Sequence, residues 1–370
     1  MLKETLRKIG RTAVEQFLFP ILAVISALIL GGIIVAMAGY SPFLTYQALY
    51  EGAFGSYYNL SETLLRSVPY LLTGLGVCLS FRAKMFNIGA EGQFYMGALM
   101  AGFLGVAWSG LPGWLLIPLV MLASFVAGGL YGGFPGYLKA RVGASEVVTT
   151  VMLNTIAIHI VSFMVTGPLQ EPQGFFPETA EIAAQAKLPF LLPGTRLHVG
   201  ILLAVALIFF FQFFLFKTVP GYQIRAVGSN REAARYGGIH VERNIVYSML
   251  LSGGIAGLAG GIELLGVTWK LYQRMSPGYG YTAIAVALLA KKNPVGVLAS
   301  GLLFGALATG ANMMQRSVGI PTVMVNILQA LIIFFVVGYS VYEEKLIRWW
   351  RERKRLSPLP DAPADMKEAG

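Results

Sequence analysis

The chain has 370 residues, 56% of them hydrophobic and only 12% charged, with a mean hydropathy of +0.65. A water-soluble protein of this size carries about a quarter charged residues, so a soluble enzyme or a nucleic-acid-binding globule is excluded despite a net charge of +10. The apolar residues recur in runs separated by short basic loops, the pattern of an all-α polytopic membrane protein.

The first run, residues 17–38, follows Lys3, Arg7, Lys8 and Arg11. It is too long for a cleaved signal peptide and is expected to remain as a span. Short runs at 67–81 and 94–108 flank a polar, glycine-rich stretch. The single cysteine, Cys78, lies in the first of them and is expected to be a small packing residue. Full-length runs occupy 113–133 and 147–167. In the latter, Thr155, His159 and Ser162 fall within about 60° on one helical face. Such a stripe is expected to face protein or water rather than lipid, and interhelical hydrogen bonding is the expected role of His159, with substrate contact as the alternative. Glu146 opens this run, where the helix dipole favours a carboxylate. The segment 168–198 holds five prolines with Glu171, Glu178 and Glu181, and reads as an external surface loop suited to a partner.

Further runs at 199–216, 245–265, 282–290, 295–313 and 320–340 bring the total to ten, four of them short or interrupted. Glu263 falls near the outer end of 245–265, either exposed or lining an entrance. Gly253, Gly257 and Gly261 in that run, like Gly301 and Gly305 later, have the small-xxx-small spacing of closely packed helices. If the N-terminus is cytoplasmic, only Arg66, Lys187, Arg196, Lys270, Arg274 and Arg316 of the 28 Lys and Arg fall outside. Losing or gaining one span would invert the later loops and spoil that bias. The prediction is therefore a transmembrane domain over 1–345, with ten spans and both termini inside. The tail 346–370 is basic, then Pro-rich from Ser357, and is predicted to be disordered.

The longest cytoplasmic connection, 217–244, has at its centre Ser229, Asn230, Arg231, Glu232, Ala233, Ala234 and Arg235, followed by Gly237-Gly238. Ser229 or Asn230 can cap a helix start, Glu232 suits the first turn, and the glycines stop it. A helix of about two turns is unstable alone in water and needs something to pack against.

Residues 226–239 resemble the cytoplasmic coupling loop of the ABC-importer permeases that serve simple sugars, nucleosides and branched-chain amino acids. Residues 82–93 (Arg-Ala-Lys-Met-Phe-Asn-Ile-Gly-Ala-Glu-Gly-Gln), 278–289 and Asn293-Pro294-Val295-Gly296 resemble the nucleoside-type branch. The resemblance implies a coupling role for Ser229 to Arg235. It also implies two ABC ATPase subunits, a second permease (paralogous or identical), an extracytoplasmic substrate-binding lipoprotein, and a place in the bacterial inner membrane. Nucleosides are the implied solute, with a simple sugar or a riboflavin-like solute as alternatives.

Each of the two glycine-rich segments precedes a short apolar helix, one at the inside face and one at the outside. Broken segments of opposite orientation mark an inverted repeat around a central path. Candidate path residues are therefore Asn87, Glu91, Gln93, Asn154, Tyr279, Tyr281 and Thr282. An ion-coupled carrier is the rival class; it needs a buried carboxylate, for which Glu91 and Glu263 are the candidates. Leu251-Ser252-Gly253-Gly254 spells the start of an ATPase signature but lies inside an apolar run, and no phosphate-binding Gly-x-x-x-x-Gly-Lys motif occurs. No catalytic residue, metal site or cofactor is predicted; the three histidines are scattered.

Overall fold

The computed structural model describes residues 21–321 and 323–356, with side chains through 339. The basic N-terminus, the first residues of the 17–38 run and the segment 357–370 lie outside the described residues.

The described chain is all-helical: α1 (Ile21–Met37), α2 (Pro42–Phe54), α3 (Tyr57–Arg82), α4 (Ala90–Ala107), α5 (Gly113–Val142), α6 (Glu146–Thr166), α7 (Gly200–Lys217), α8 (Val219–Ser229), α9 (Arg231–Tyr236), α10 (Val241–Glu263), α11 (Tyr279–Leu289), α12 (Pro294–Val318) and α13 (Val323–Leu356). Six of these (α3, α5, α6, α7, α10 and α12) are long and apolar enough to cross a membrane. Shorter apolar stretches fall in α1, α11 and Val323–Tyr339. The chain is a multi-pass membrane protein.

Local chemistry sets the boundaries. Ser56 Oγ accepts from the Asn59 N–H at 3.0 Å and caps α3. Asn293 caps α12 with Pro294 in its first turn, and Gly319 closes it at φ 72°. All ten apolar runs coincide with helices, but two boundaries differ from expectation. Helix α3 starts at Tyr57 rather than near Ser67, because its polar first turns are satisfied inside the protein. Thr63 Oγ1 donates to the Ala53 carbonyl at 2.8 Å, and Glu62 pairs with Arg196. Helix α13 continues to Leu356, past the point where the disordered tail was expected.

Helices α3 and α10 form the interior, with 89% and 78% of their most apolar windows buried, whereas α6 buries 22%. The tightest seam joins α5 to α10, where Gly128 and Gly132 oppose Gly253 and Gly257. A Cβ on Gly257 would sit 2.5 Å from the Ser124 carbonyl oxygen, so the backbones themselves are in contact. Gly261 packs on the Ser124 side chain instead, and the predicted small-xxx-small packing is present. Cys78 is free and fully buried.

At the end of the bundle that the basic-loop count assigns to the outside, α10 ends in a π-turn, Leu264–Thr268, and the chain leaves it through Trp269 at φ 56°. The loop 168–198 is sewn to this exit. Thr179, Ile182 and Leu188 N–H groups donate to the carbonyls of Leu271, Trp269 and Leu265 at 2.9–3.0 Å. Lys270 Nζ reaches Glu178 at 2.6 Å and Glu171 at 3.6 Å. Arg196 grips Glu62 of α3 through two bonds of 2.9 and 2.8 Å.

Candidate translocation and coupling sites

The chain leaves α3 at the inner side and turns through 83–89 before α4. Asn87 and Gln93, both buried, bond each other: the Asn87 amide donates to Gln93 Oε1 at 2.9 Å, and the Gln93 amide returns to Asn87 Oδ1 at 3.0 Å. Asn87 also donates to Ser252 Oγ on α10 (2.8 Å) and accepts from the Gly89 N–H (3.0 Å). Asn154 of α6, likewise fully buried, accepts from the Gly92 N–H and donates to the Ile88 carbonyl, both at 2.8 Å. The Gly89 and Gly92 N–H groups and the Ile88 carbonyl at the break thus find side-chain partners, as irregular backbone at membrane depth requires.

The second break mirrors this. Ser276 Oγ accepts from the N–H groups of Gly278 and Tyr279 at 3.0 Å, capping α11, while the Ser276 N–H donates to Tyr95 Oη of α4 at 3.1 Å. Glu91, from the first turn of α4, accepts from the Gly280 N–H at 2.7 Å. A carboxylate there meets both the orphan donors and the positive end of the α11 dipole. Gly280 packs so tightly that a Cβ would overlap the Glu91 backbone. The starts of the two broken helices therefore abut.

Tyr279 is buried, edge-on to Tyr70 (centroids 5.1 Å, 80°) and beside Phe94 (5.6 Å), with Glu263 in its surroundings. Glu263 is buried, not exposed. Tyr281 is 46% exposed. Thr282 is half-buried on the first turn of α11. The structure gathers Asn87, Glu91, Gln93, Asn154, Tyr279, Tyr281 and Thr282 around one junction of α4, α6, α10 and α11. Sequence reading missed Ser252, Ser276, Tyr95 and Tyr70. Ser276 carried a usable signal, a cap residue just ahead of Pro277-Gly278. Glu146 bonds Lys139 at 2.9 Å across the α5–α6 turn.

At the inner side, the 217–244 segment forms two helices rather than one. Thr218 starts α8, and Asn230 (φ −155°) breaks it and caps α9 by accepting from the Ala233 N–H at 3.1 Å. Helix α8 is anchored on the end of α3: Gly228 packs against the Arg82 carbonyl, and Lys84 Nζ donates to the Ser229 carbonyl at 3.2 Å. Arg82 itself donates to the Lys292 carbonyl at 2.6 Å and lies over the Phe216 ring at 5.1 Å. In α9, Ala234 is the buried residue, and Ala233 is exposed. Arg231 reaches the Met85 sulfur at 3.6 Å, and Arg235 bonds Glu242 at 2.6 Å and approaches Glu232 at 3.9 Å. Tyr236, at the end of α9, is 93% exposed. Among the described residues, no cluster of three or more metal-ligating side chains occurs.

Three curated relatives are similar over nearly their whole length. A guanosine ABC transporter permease of Bacillus subtilis (strain 168) is 40% identical over 88% of this chain and 94% of its own. A glucose ABC transporter permease of Haloferax volcanii is 35% identical over 94% and 92%, and a nucleoside ABC transporter permease of Lactococcus lactis subsp. cremoris is 34% identical over 90% and 93%. No solved structure matches the chain. The family described as branched-chain amino acid transport system permease component matches residues 59–337. With that match covering both broken helices and the α8–α9 segment, the chain belongs to this family and is a non-catalytic permease subunit of an ABC importer.

Proposed function

We propose that this permease carries nucleosides across a bacterial inner membrane, through a path whose centre is the junction of α4 and α11. The observation that carries the solute assignment is the 40% identity to a guanosine permease over 94% of that protein's length. The half-exposed Tyr281 ring supports it, since a nucleobase stacks on an aromatic face. Ten spans with both termini cytoplasmic fit the basic loops, and the abutting starts of α4 and α11 fit an inverted repeat. A simple sugar is the second reading, favoured by the glucose permease at 35% identity. Family membership sets aside the ion-coupled carrier.

Coupling residues Ser229 to Arg235 sit on the α8–α9 pair, with the Tyr236 ring as an added contact. The groove between the two helices is lined by Tyr222, Gln223, Ala226, Asn230, Ala233 and Ile239. It accepts an ATPase subunit, two of which work with this chain, a second permease and an external binding lipoprotein. Closure of the ATPases displaces α9, and α8 passes the motion to α3 through Gly228 and Lys84. The test is uptake of labelled guanosine by cells expressing the full transporter, with glucose as competitor. Uptake of guanosine that glucose does not suppress is expected; uptake of glucose alone overturns the solute assignment and leaves the permease assignment intact.

A further inference from the structure

Helix α6 is the most exposed of the long helices, and its outward face does not have lipid chemistry throughout. His159 and Thr155 are both exposed, and Ser162 is half-buried beside them. At a rise of about 1.5 Å per residue, Thr155 and His159 lie about 14 and 20 Å from the start of a helix about 30 Å long. That depth is hydrocarbon in a bilayer. Among the described residues, no hydrogen bond or ion pair within the chain reaches His159. An imidazole and a threonine hydroxyl turned away from their own subunit at mid-membrane face water or protein, not acyl chains.

The two flanks of the stripe differ. On one side Met152, Ile156 and Phe163 are 61%, 46% and 65% exposed, an apolar surface suited to lipid. On the other side a polar contact follows: Gln273, from the loop ahead of α11, donates to Ser162 Oγ at 2.7 Å. The Thr155–His159–Ser162 stripe is therefore tied through Ser162 to the loop ahead of α11, with Ile156 and Phe163 on its apolar flank.

We propose that Thr155 and His159 line the solute path, which the second permease closes from the opposite side, and that His159 is a specificity-determining contact. Its ring nitrogens provide a donor and an acceptor, matching the hydrogen-bonding edge of a nucleobase. The inference rests on the permease reading, with the nucleoside as the expected solute.

Single-cysteine labelling tests it, because native Cys78 is fully buried and silent. Thr155→Cys, His159→Cys and the control Ile156→Cys are made in the complete transporter in membrane vesicles and exposed to a water-soluble, membrane-impermeant thiol reagent. Labelling of Thr155→Cys and His159→Cys at least about tenfold faster than Ile156→Cys is expected, with guanosine slowing the reaction at position 159. His159→Gln, which keeps hydrogen-bonding groups, is expected to hold the uptake KM within about threefold, whereas His159→Leu raises it about tenfold at unchanged assembly. Equal labelling at the three positions, or labelling at 159 that neither guanosine nor glucose slows, overturns the proposal. Loss of co-purification of the second permease with His159→Leu also overturns it, in favour of a dry subunit contact. Protection by glucose but not guanosine upholds the path and overturns only the nucleoside assignment.

Discussion

The two ends of the molecule are built on different terms. At the outer end, loop 168–198 is fixed to the α10 exit by three backbone hydrogen bonds, to α3 by the paired Arg196–Glu62 contact, and to its own prolines' path by Lys270 with Glu171 and Glu178. At the inner end, α9 has six residues, of which one is buried, and an ion pair to Glu242 holds its side. A helix so short draws its stability from whatever it packs on. The end bearing loop 168–198 is thus held by many contacts within this chain, while the α9 end is held by few, as the proposed docking of an ATPase subunit there requires. Stability and coupling should separate accordingly under mutation.

The largest effect is expected at the inner end. Replacing Ala234 by Asp places a charge in the one buried position of α9, and Tyr236→Ala removes its exposed ring. Substrate-stimulated ATPase activity of the assembled transporter is expected to fall at least about tenfold in both, with the thermal transition of the isolated permease unchanged for Tyr236→Ala. A comparable loss of permease stability with Tyr236→Ala would erase the distinction between the two ends.

An intermediate effect is expected at the outer end from Arg196→Ala, which leaves the buried Glu62 carboxylate without its partner. The cost is about 1–3 kcal/mol, read as a lower melting temperature in detergent with basal ATPase activity of the complex intact. His198 sharpens the same contrast. Its ring is buried ahead of α7, Nδ1 accepts from the Gly200 N–H at 3.1 Å, and burial lowers its pKa from 6.5 to about 4. The unfolded chain binds more protons than the folded one between those values, so stability is full above 6.5 and falls as the pH drops towards 4. The slope is at most about 1.4 kcal/mol per pH unit, and His198→Asn should flatten it. The smallest effect is expected for Lys270→Ala, because its charge pairs lie in water and contribute little; its melting temperature should match that of the unaltered protein.

Much of this fold was legible in the residues. Runs of apolar side chains found the six long apolar helices and the shorter ones in α1, α11 and α13, and glycine spacing located the α5–α10 seam, because both signals follow directly from backbone geometry in lipid. What stayed hidden was polar chemistry spent inside the protein. The first turns of α3 look like a loop until Thr63 is seen bonded to Ala53 and Glu62 to Arg196. Helix α2 escaped notice because its large apolar residues, Phe43, Tyr50 and Phe54, are exposed and show no buried run. Around the junction, sequence placed Asn87, Glu91 and Gln93 together as polar groups in an apolar setting. Only coordinates show that Asn87 and Gln93 satisfy each other, while Glu91 serves the first turn of α11. The same ambiguity applied to His159, for which an interhelical hydrogen bond was expected and an outward-facing ring is found.

The α5–α10 seam has a consequence for how the sequence can vary. Where carbonyl oxygens stand at the distance a Cβ would need, no side-chain rearrangement can make room, and even alanine at Gly128 or Gly257 would force one whole helix away from the other. A leucine elsewhere on the bundle can drift to isoleucine or methionine with modest repacking. Tolerance to change at Gly128, Gly132, Gly253 and Gly257 is therefore all-or-none, a fingerprint with a spacing of four written by backbone contact rather than by solute or partner.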